Sequence, residues 1–181
     1  MADIAVINKV DSAPKDKIEI VRRNIQTHNP DADIILAESS VLVDRPERVR
    51  NQRVLVVKDG PTLTHGEMSS GAGLIAAELF GASEIVDPRS AAVGSLSDTY
   101  RRYPHIGSVL PAMGYTENQI RDLKDTVDRI DCDLVLFATP IHLPRLLSIE
   151  KPTLRVRYEY QDHGSPTLDR VLMSQLFRKE Q

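Results

Sequence analysis

The chain has 181 residues, of which 41% are hydrophobic and 27% charged, and its formal net charge is −3. These values are typical of one globular domain with a substantial core, and they give no reason to expect binding to nucleic acid or to a membrane. No apolar run is long enough to span a bilayer, and no signal-peptide pattern is found. The single cysteine, Cys132, excludes an internal disulfide framework, so we expect a cytoplasmic protein with a structural thiol.

Two short apolar runs near the N-terminus predict the first two strands. Asp3–Ile7 is interpreted as a buried strand and Asp33–Ala37 as a second strand. Between them, Ser12 is expected to cap a helix that ends before Asn29 and Pro30. The inward positions of this helix are predicted to be Ile18, Val21 and Ile25.

The stretch from Val54 to Arg89 is predicted to form a βαβ unit. Val54–Val57 is a β-branched run without alternation, as in a parallel strand covered on both faces. A helix is expected to begin after Gly71 and a second strand to follow at Glu84–Val86. The connection between the first strand and the helix is long, polar and glycine-rich.

Ligands of open α/β sheets bind beyond the carboxyl ends of the strands, so this connection is predicted to bind an anion. An ordinary surface loop is the alternative.

Further helices and strands alternate through the rest of the chain. This alternation indicates a three-layer α/β domain with a mostly parallel sheet. Residues 104–115 contain too many prolines and glycines for a regular element. The other predicted elements are a helix opening at Val93–Ser95, a helix capped by Thr116 with Gln119 that buries Ile120, Leu123, Val127 and Ile130, a buried strand at Asp133–Ala138, an edge strand at Thr153–Tyr160, and a final helix from Ser165.

Asn8-Lys9-Val10-Asp11 matches the N-K-x-D motif by which P-loop GTPases recognise a base. In such a motif the aspartate accepts hydrogen bonds from guanine, the lysine stem packs on the ring, and the asparagine ties adjacent loops together. Ser39 follows the next predicted strand, where GTPases place a second base-contacting loop, although a plain turn is the alternative there. No G-x-x-x-x-G-K-[ST] sequence is present, so the phosphate-binding loop of such enzymes is missing from this chain.

Seven short motifs are distributed along most of the chain: Asn8–Asp11, Asp59–Gly66, Gly71–Gly73, Asp87–Arg89, Tyr103–His105, Leu110–Tyr115 and Thr139–Ile141. Together they resemble those of cyclic 2,3-diphosphoglycerate synthetases and the predicted GTPases grouped with them. The resemblance extends from the first residues to about Tyr160 and covers only the carboxyl-terminal part of such a protein. We therefore predict two parts: residues 1–160, similar to the second half of a P-loop NTPase domain without its Walker A motif, and a C-terminal helix at 161–181.

The resemblance implies an enzyme that uses ATP or GTP with Mg²⁺. The family closes an intramolecular phosphoanhydride in 2,3-diphosphoglycerate, so the expected partners are a nucleotide and a small phosphorylated substrate, with homo-oligomerisation left open. Without a Walker A motif, this chain alone is expected to be inactive. A regulatory or chaperone-type GTPase and a non-catalytic fragment are the alternatives. Lys58, Glu67 and His142 depart from the family pattern and change its arrangement of acidic and basic groups.

The resemblance also implies roles for individual residues. Joining two phosphates requires positive charge and a group that positions the attacking phosphate. Pairing between Asp87 and Arg89 is an alternative to their functional roles, and Arg102 is weighed as a weaker phosphate contact. The predicted roles are nucleotide binding for Asn8, Lys9, Asp11 and Ser39; catalysis for Asp59, His65 and Arg89; substrate-phosphate binding for Thr62, Thr64, His65, Gly66, Arg89 and His105; and metal binding for Asp59 and Asp87.

Overall fold

The computed structural model describes residues 2–60, 71–113, 116–139, 143 and 147–178. It confirms a three-layer α/β fold with a mostly parallel sheet. The chain divides into two compact units: unit 1 is Met1–Ser40 with Tyr158–Gln181, and unit 2 is Val41–Arg157. The predicted division at residue 160 stays a prediction. In the part of the chain that the structure describes, no helix is long and apolar enough to cross a membrane.

Seven strands and five α-helices occur within the described residues. In chain order they are β1 (Ile4–Ile7), α1 (Lys15–His28), β2 (Asp33–Val43), β3 (Arg53–Asp59), α2 (Ala72–Leu79), β4 (Glu84–Ile85), α3 (Gly94–Arg102), β5 (Leu110–Ala112), α4 (Glu117–Arg129), β6 (Leu134–Ala138), β7 (Thr153–Asp162) and α5 (Leu168–Arg178), with short 3₁₀ turns at Pro46–Arg48 and Pro104–Ile106.

The first strand of unit 1 is less buried than its sequence predicts. β1 runs parallel to β2 and pairs Ile4 with Asp33 through to Ile7 with Leu36. Only Ile7 of this strand is buried, and Val6 is 43% exposed. β1 is the outermost strand in the strand order. The prediction of a buried strand was therefore wrong, because an apolar run on an outermost strand need not be covered on both faces.

Helix α1 of unit 1 also differs from its prediction. It begins after Pro14 without a side-chain cap, and the Ser12 hydroxyl donates instead to the carbonyl of Lys9. No residue of α1 is buried, and Val21 is 44% exposed. Ser12 is therefore not the helix cap, and the predicted inner face is only half-covered.

β3 lies at the centre of unit 2 and is confirmed as a fully covered parallel strand. It pairs in parallel with β4, β5 and β6, with Val54 opposite Leu134 in β6. Val54–Val57 are each at most 1% exposed. A strand with neighbours on both sides and packed faces favours β-branched residues at every position, which explains the missing alternation.

Residues 110–112 form a strand that the sequence analysis did not predict. β5 pairs in parallel with the end of β3, with Val57 opposite Leu110 and Asp59 opposite Ala112. Leu110 is fully buried in the core of unit 2. The prediction of an irregular segment at 104–115 was wrong here, because pairing with a central strand outweighed the local effect of Pro111.

β7 is not an edge strand. It pairs with β6 from Thr153 to Arg155, and it lies between β6 and β2 in the strand order. Its alternating arginines therefore reflect the two faces of the strand rather than an exposed edge.

Helix α4 confirms its predicted cap, whereas helix α5 begins later than predicted. Thr116 and Gln119 form the reciprocal bonds of a capping box. In α5, by contrast, the carboxylate of Asp162 accepts a hydrogen bond of 2.8 Å from the backbone N–H of Leu168. The N–H groups of the first helical turn have no partner within the helix, and this bond provides one for Leu168. The helix therefore begins at Leu168 and not at Ser165 as predicted.

Asp122 of α4 caps the N-terminus of α3 within unit 2. One of its carboxylate oxygens accepts both the backbone N–H and the hydroxyl of Ser95, at 2.8 and 2.7 Å. These bonds from the Ser95 side chain and backbone hold the pKa of Asp122 below its usual value. The carboxylate also lies at the positive end of the helix dipole.

Replacing Asp122 with asparagine keeps an acceptor oxygen but removes the negative charge, and it is expected to lower the free energy of unfolding by about 0.3–1 kcal/mol at neutral pH. Because the folded-state pKa is depressed, the contribution of Asp122 is present above its unfolded pKa and disappears as pH falls through the folded pKa. Urea unfolding between pH 7 and pH 2.5 measures this difference. If the Asp122→Asn variant and the parent differ equally at both pH values, the charge of Asp122 does not stabilise α3.

Candidate functional site

The predicted base-recognition motif forms a tight turn directly after β1 in unit 1. The backbone N–H of Lys9 donates to the Asn8 side-chain oxygen at 2.8 Å, and Lys9 has a φ of 64°. The carbonyl of Lys9 accepts the N–H groups of Ser12 and Ala13 at 3.2 and 3.0 Å. A left-handed conformation costs a non-glycine residue about 1–2 kcal/mol, so these bonds hold Lys9 in an uncommon geometry.

The structure brings Asp11 and Ser39 together, and their role in base binding stays a prediction. Asp11 Oδ1 accepts the backbone N–H of Ser39 at 3.2 Å, and the N–H of Val10 donates to the carbonyl of Ala37 at 3.1 Å. A carboxylate accepts several hydrogen bonds, so the bond to Ser39 is compatible with recognition of a base edge. Ser39 lies within β2, which continues to Val43, so the prediction that Ser39 follows a strand was wrong.

Two more contacts surround this turn within unit 1. Lys9 Nζ lies 4.7 Å from the ring centroid of Tyr158. His163 Nδ1 lies 2.6 Å from an oxygen of Glu38, the residue before Ser39. Neither Tyr158 nor His163 has a role predicted from the sequence, because both lie far along the chain and belong to no motif that points to this turn.

A lysine that the sequence analysis treated only as a departure from the family lies buried at the end of β3. Lys58 is 8% exposed. A Cβ atom placed on Gly71, the N-cap of α2, would lie 2.9–3.0 Å from Lys58 Cε, Cδ and Nζ. Gly71 therefore leaves space for the lysine side chain beside the N-terminus of α2. An ammonium group and a helix N-terminus both attract negative charge, so together they suit a phosphate or carboxylate group.

Apart from Asp87 and Arg89, the other predicted residues of unit 2 lie at the end of β3, on or beside the 3₁₀ turn at Pro104–Ile106, or outside the described residues. Asp59 is half-buried at the end of β3. His105 is exposed on a 3₁₀ turn, with its ring 6.0 Å from that of Tyr103, and the Arg102 guanidinium lies 5.8 Å from the same tyrosine ring. Their predicted roles stay predictions. Thr62, Thr64, His65 and Gly66 lie outside the described residues, as do Glu67 and His142.

Asp87 and Arg89 form an exposed ion pair. Arg89 Nε lies 2.9 Å from both carboxylate oxygens of Asp87, and a terminal guanidinium nitrogen also donates to that carboxylate. The guanidinium lowers the pKa of Asp87. A phosphate at Arg89 or a metal ion at Asp87 would compete with this pair. No group of three or more histidine, cysteine, aspartate or glutamate side chains suited to a metal occurs among the described residues.

Cys132 has the surroundings of a structural thiol. The residue is unpaired in the structure and half-buried, and burial raises the pKa of its thiol. A raised pKa leaves little thiolate at neutral pH, and the thiolate is the reactive form.

The chain is similar to an arginine synthetase. The relative is arginine synthetase ArcE of Thermococcus kodakarensis, and the two are 51% identical over 171 residues. The matched region is 94% of this chain but 38% of the relative, so the chain spans less than two fifths of the relative's length. No family model matches the chain. The name of the relative is that of a synthetase, and it does not mention cyclic 2,3-diphosphoglycerate.

Proposed function

We propose that this chain is the nucleotide-binding part of an ATP-dependent ligase that synthesises arginine. The observation that carries the proposal is the 51% identity to an arginine synthetase over 94% of the chain. Identity of this level along nearly the whole chain favours shared chemistry rather than a shared fold alone.

The geometry of both units supports this proposal. An ATP-dependent ligase binds the base of its nucleotide. It also binds phosphate groups, because transfer of a phosphoryl group converts a poor leaving group on the substrate into a good one. In unit 1, the hydrogen bonds that join Lys9 to Asn8 and Ser39 to Asp11 support a base site at this turn. In unit 2, the buried Lys58 beside the N-terminus of α2 suits a phosphate group.

Magnesium is expected to accompany ATP. Mg²⁺ prefers carboxylate oxygens and retains several waters, so one protein carboxylate is a sufficient contact. Asp59 fits because it is half-buried at the carboxyl end of β3. Asp87 fits less well because Arg89 holds its carboxylate.

The second candidate function is closure of 2,3-diphosphoglycerate to its cyclic form. The Asp59–Gly66 motif favours it, because this motif carries part of the resemblance to cyclic 2,3-diphosphoglycerate synthetases. The N-K-x-D turn adds the further alternative of GTP in place of ATP, since its aspartate suits guanine.

Thermal unfolding of the purified chain with added ligands tests these alternatives. A ligand at one hundred times its Kd stabilises a folded protein by about 2.7 kcal/mol. We expect Mg-ATP to raise Tm, and arginine to raise it further, while 2,3-diphosphoglycerate has a smaller effect. A larger effect of 2,3-diphosphoglycerate than of arginine would favour the second candidate, and no stabilisation by any nucleotide would refute the proposal.

Variants of two aspartates determine which base is bound. If GTP is the ligand, Asp11→Asn should reduce stabilisation by Mg-GTP, because the asparagine amide replaces an acceptor oxygen with a donor. If ATP is the ligand, the same variant should retain its response to Mg-ATP. Asp16→Asn, an exposed position in the first turn of α1, is the matched control and should behave as the parent.

A further inference from the structure

We infer that Tyr158 is a positioning residue for the base site, because its ring holds the side chain of Lys9. This inference rests on the proposed nucleotide binding and adds to it a residue outside the N-K-x-D motif. It concerns unit 1 alone, since both residues belong to that unit.

The contact between Lys9 and Tyr158 has the geometry of a cation–π interaction. Lys9 Nζ lies 4.7 Å from the ring centroid, within the range of about 6 Å in which a cation is attracted to an aromatic face. Tyr158 is 41% exposed and Lys9 is also exposed. Both groups are therefore accessible to a ligand in this structure.

The backbone of the turn fixes the other end of the lysine side chain. Lys9 has a left-handed φ of 64°, and its N–H and carbonyl are both hydrogen-bonded within the turn. The turn fixes the Cα of Lys9, and the tyrosine ring contacts its ammonium group, so the four-carbon stem between them has few conformations. The stem presents an apolar surface on which a purine can stack, and little side-chain entropy is lost when the purine binds.

The segment that carries Tyr158 is itself fastened to β2. The N–H of His163 donates to the carbonyl of Leu36 at 2.9 Å, and the His163 ring contacts Glu38 at 2.6 Å. Tyr158 therefore lies on a strand whose end is tied to the strand that carries Ser39. This arrangement fastens the strand that carries Tyr158 to the strand that carries Ser39, and the contact with Lys9 links the tyrosine ring to the turn.

Titration calorimetry with Mg-ATP and Mg-GTP tests the inference on Tyr158→Leu and Tyr158→Phe. An exposed cation–π contact corresponds to about a two- to fivefold change in affinity. We expect Tyr158→Leu to weaken nucleotide binding by that factor and Tyr158→Phe to retain parental affinity, because phenylalanine keeps the aromatic face. If Tyr158 acts through Lys9, adding Tyr158→Leu to Lys9→Met should cause no further loss.

Tyr160→Leu is the matched control on the same strand. Tyr160 is 44% exposed and its hydroxyl donates to Asp162 rather than meeting Lys9. It lines a cavity of about 320 Å³ with Ser40, Glu159 and Gln161. Tyr160→Leu should bind nucleotide as the parent does, and a loss equal to that of Tyr158→Leu would place the ligand in this cavity and overturn the inference.

The other outcomes are also decisive. Unchanged affinity in Tyr158→Leu, with a parental circular dichroism spectrum, would show that the ring positions nothing. Tighter binding would show that the ring blocks the site. A parent chain that binds neither nucleotide would refute the proposed function and this inference with it, whereas a binding parent and an unaffected Tyr158→Leu variant would refute the inference alone.

Discussion

Lys58→Met is expected to weaken the binding of phosphate-containing ligands to this chain by about tenfold or more. A hydrogen bond from a charged donor contributes about 1.5–3 kcal/mol, and 1.36 kcal/mol corresponds to a factor of ten. Lys58 is buried beside the N-terminus of α2, where little water competes for its ammonium group. Methionine has a similar length and fills irregular space, so the fold should persist.

Calorimetric titration with inorganic pyrophosphate and with 2,3-diphosphoglycerate measures this effect. Lys124→Met is the matched control, because it removes the same charge from an exposed i,i+4 pair with Asp128 on α4. If both variants lose the same affinity for these ligands, the effect is due to net charge and not to a site at Lys58. Thermal unfolding without ligand should show that both variants are folded.

Gly71→Ala offers a second approach to the same site. The new Cβ would lie 2.9–3.0 Å from Lys58 side-chain atoms, so the flexible end of the lysine must move. We therefore expect weaker phosphate binding, with a change in stability of about 1 kcal/mol or less at this N-cap position. Parental binding in Gly71→Ala would show that the position of Lys58 does not determine affinity.

The sequence predicted the elements whose signals are local or whose strands are covered on both faces. The run Val54–Val57 could be interpreted correctly because a central parallel strand needs apolar residues at every position. The Thr116–Gln119 capping box was predictable because both of its bonds form within one helical turn. In each case the physical cause lies within a few residues of the pattern.

The errors in the fold arose where distant strands determine the structure. β5 forms because Leu110–Ala112 pair with the end of β3, which local composition does not reveal. The alternation in β7 suggested an edge strand, although β7 has a neighbour on each side. β1 has an apolar sequence yet is the outermost strand, and its position in the sheet cannot be deduced from its own residues.

In the candidate site too, the residues of a local motif could be predicted from the sequence, whereas residues brought in by long-range contacts could not. Asn8, Lys9 and Asp11 were predicted from the N-K-x-D spacing, which is a local motif, and the structure adds the bond from Ser39 to Asp11. Their role in base binding stays a prediction. Tyr158 was missed because its contact with Lys9 depends on the path of β7. Lys58 was noticed only as a departure from a family pattern, since its burial depends on how α2 packs at the end of β3.

Gly94→Ala is expected to lower the free energy of unfolding of unit 2 by about 2–3 kcal/mol. Gly94 has a φ of 51°, where a side chain costs about 1–2 kcal/mol. The new Cβ would also lie too close to the carboxylate of Asp122, which caps α3 through Ser95. Displacing that carboxylate loses a cap that contributes about 1 kcal/mol.

A double-mutant cycle separates these two causes. In an Asp122→Ala background the carboxylate is absent, so Gly94→Ala should cost only the backbone strain of about 1–2 kcal/mol. The sum of the two single changes should therefore exceed the cost of the double change by about 1 kcal/mol, measured by urea unfolding at pH 7. Strictly additive costs would show that the Cβ of alanine does not disturb the cap. Gly81→Ala is the matched control, since Gly81 also has a positive φ, 76°, but an added Cβ would approach only Arg50 Cγ, at an ordinary contact distance of 3.9 Å. That control should lose only the strain component, because the cap at Asp122 remains intact.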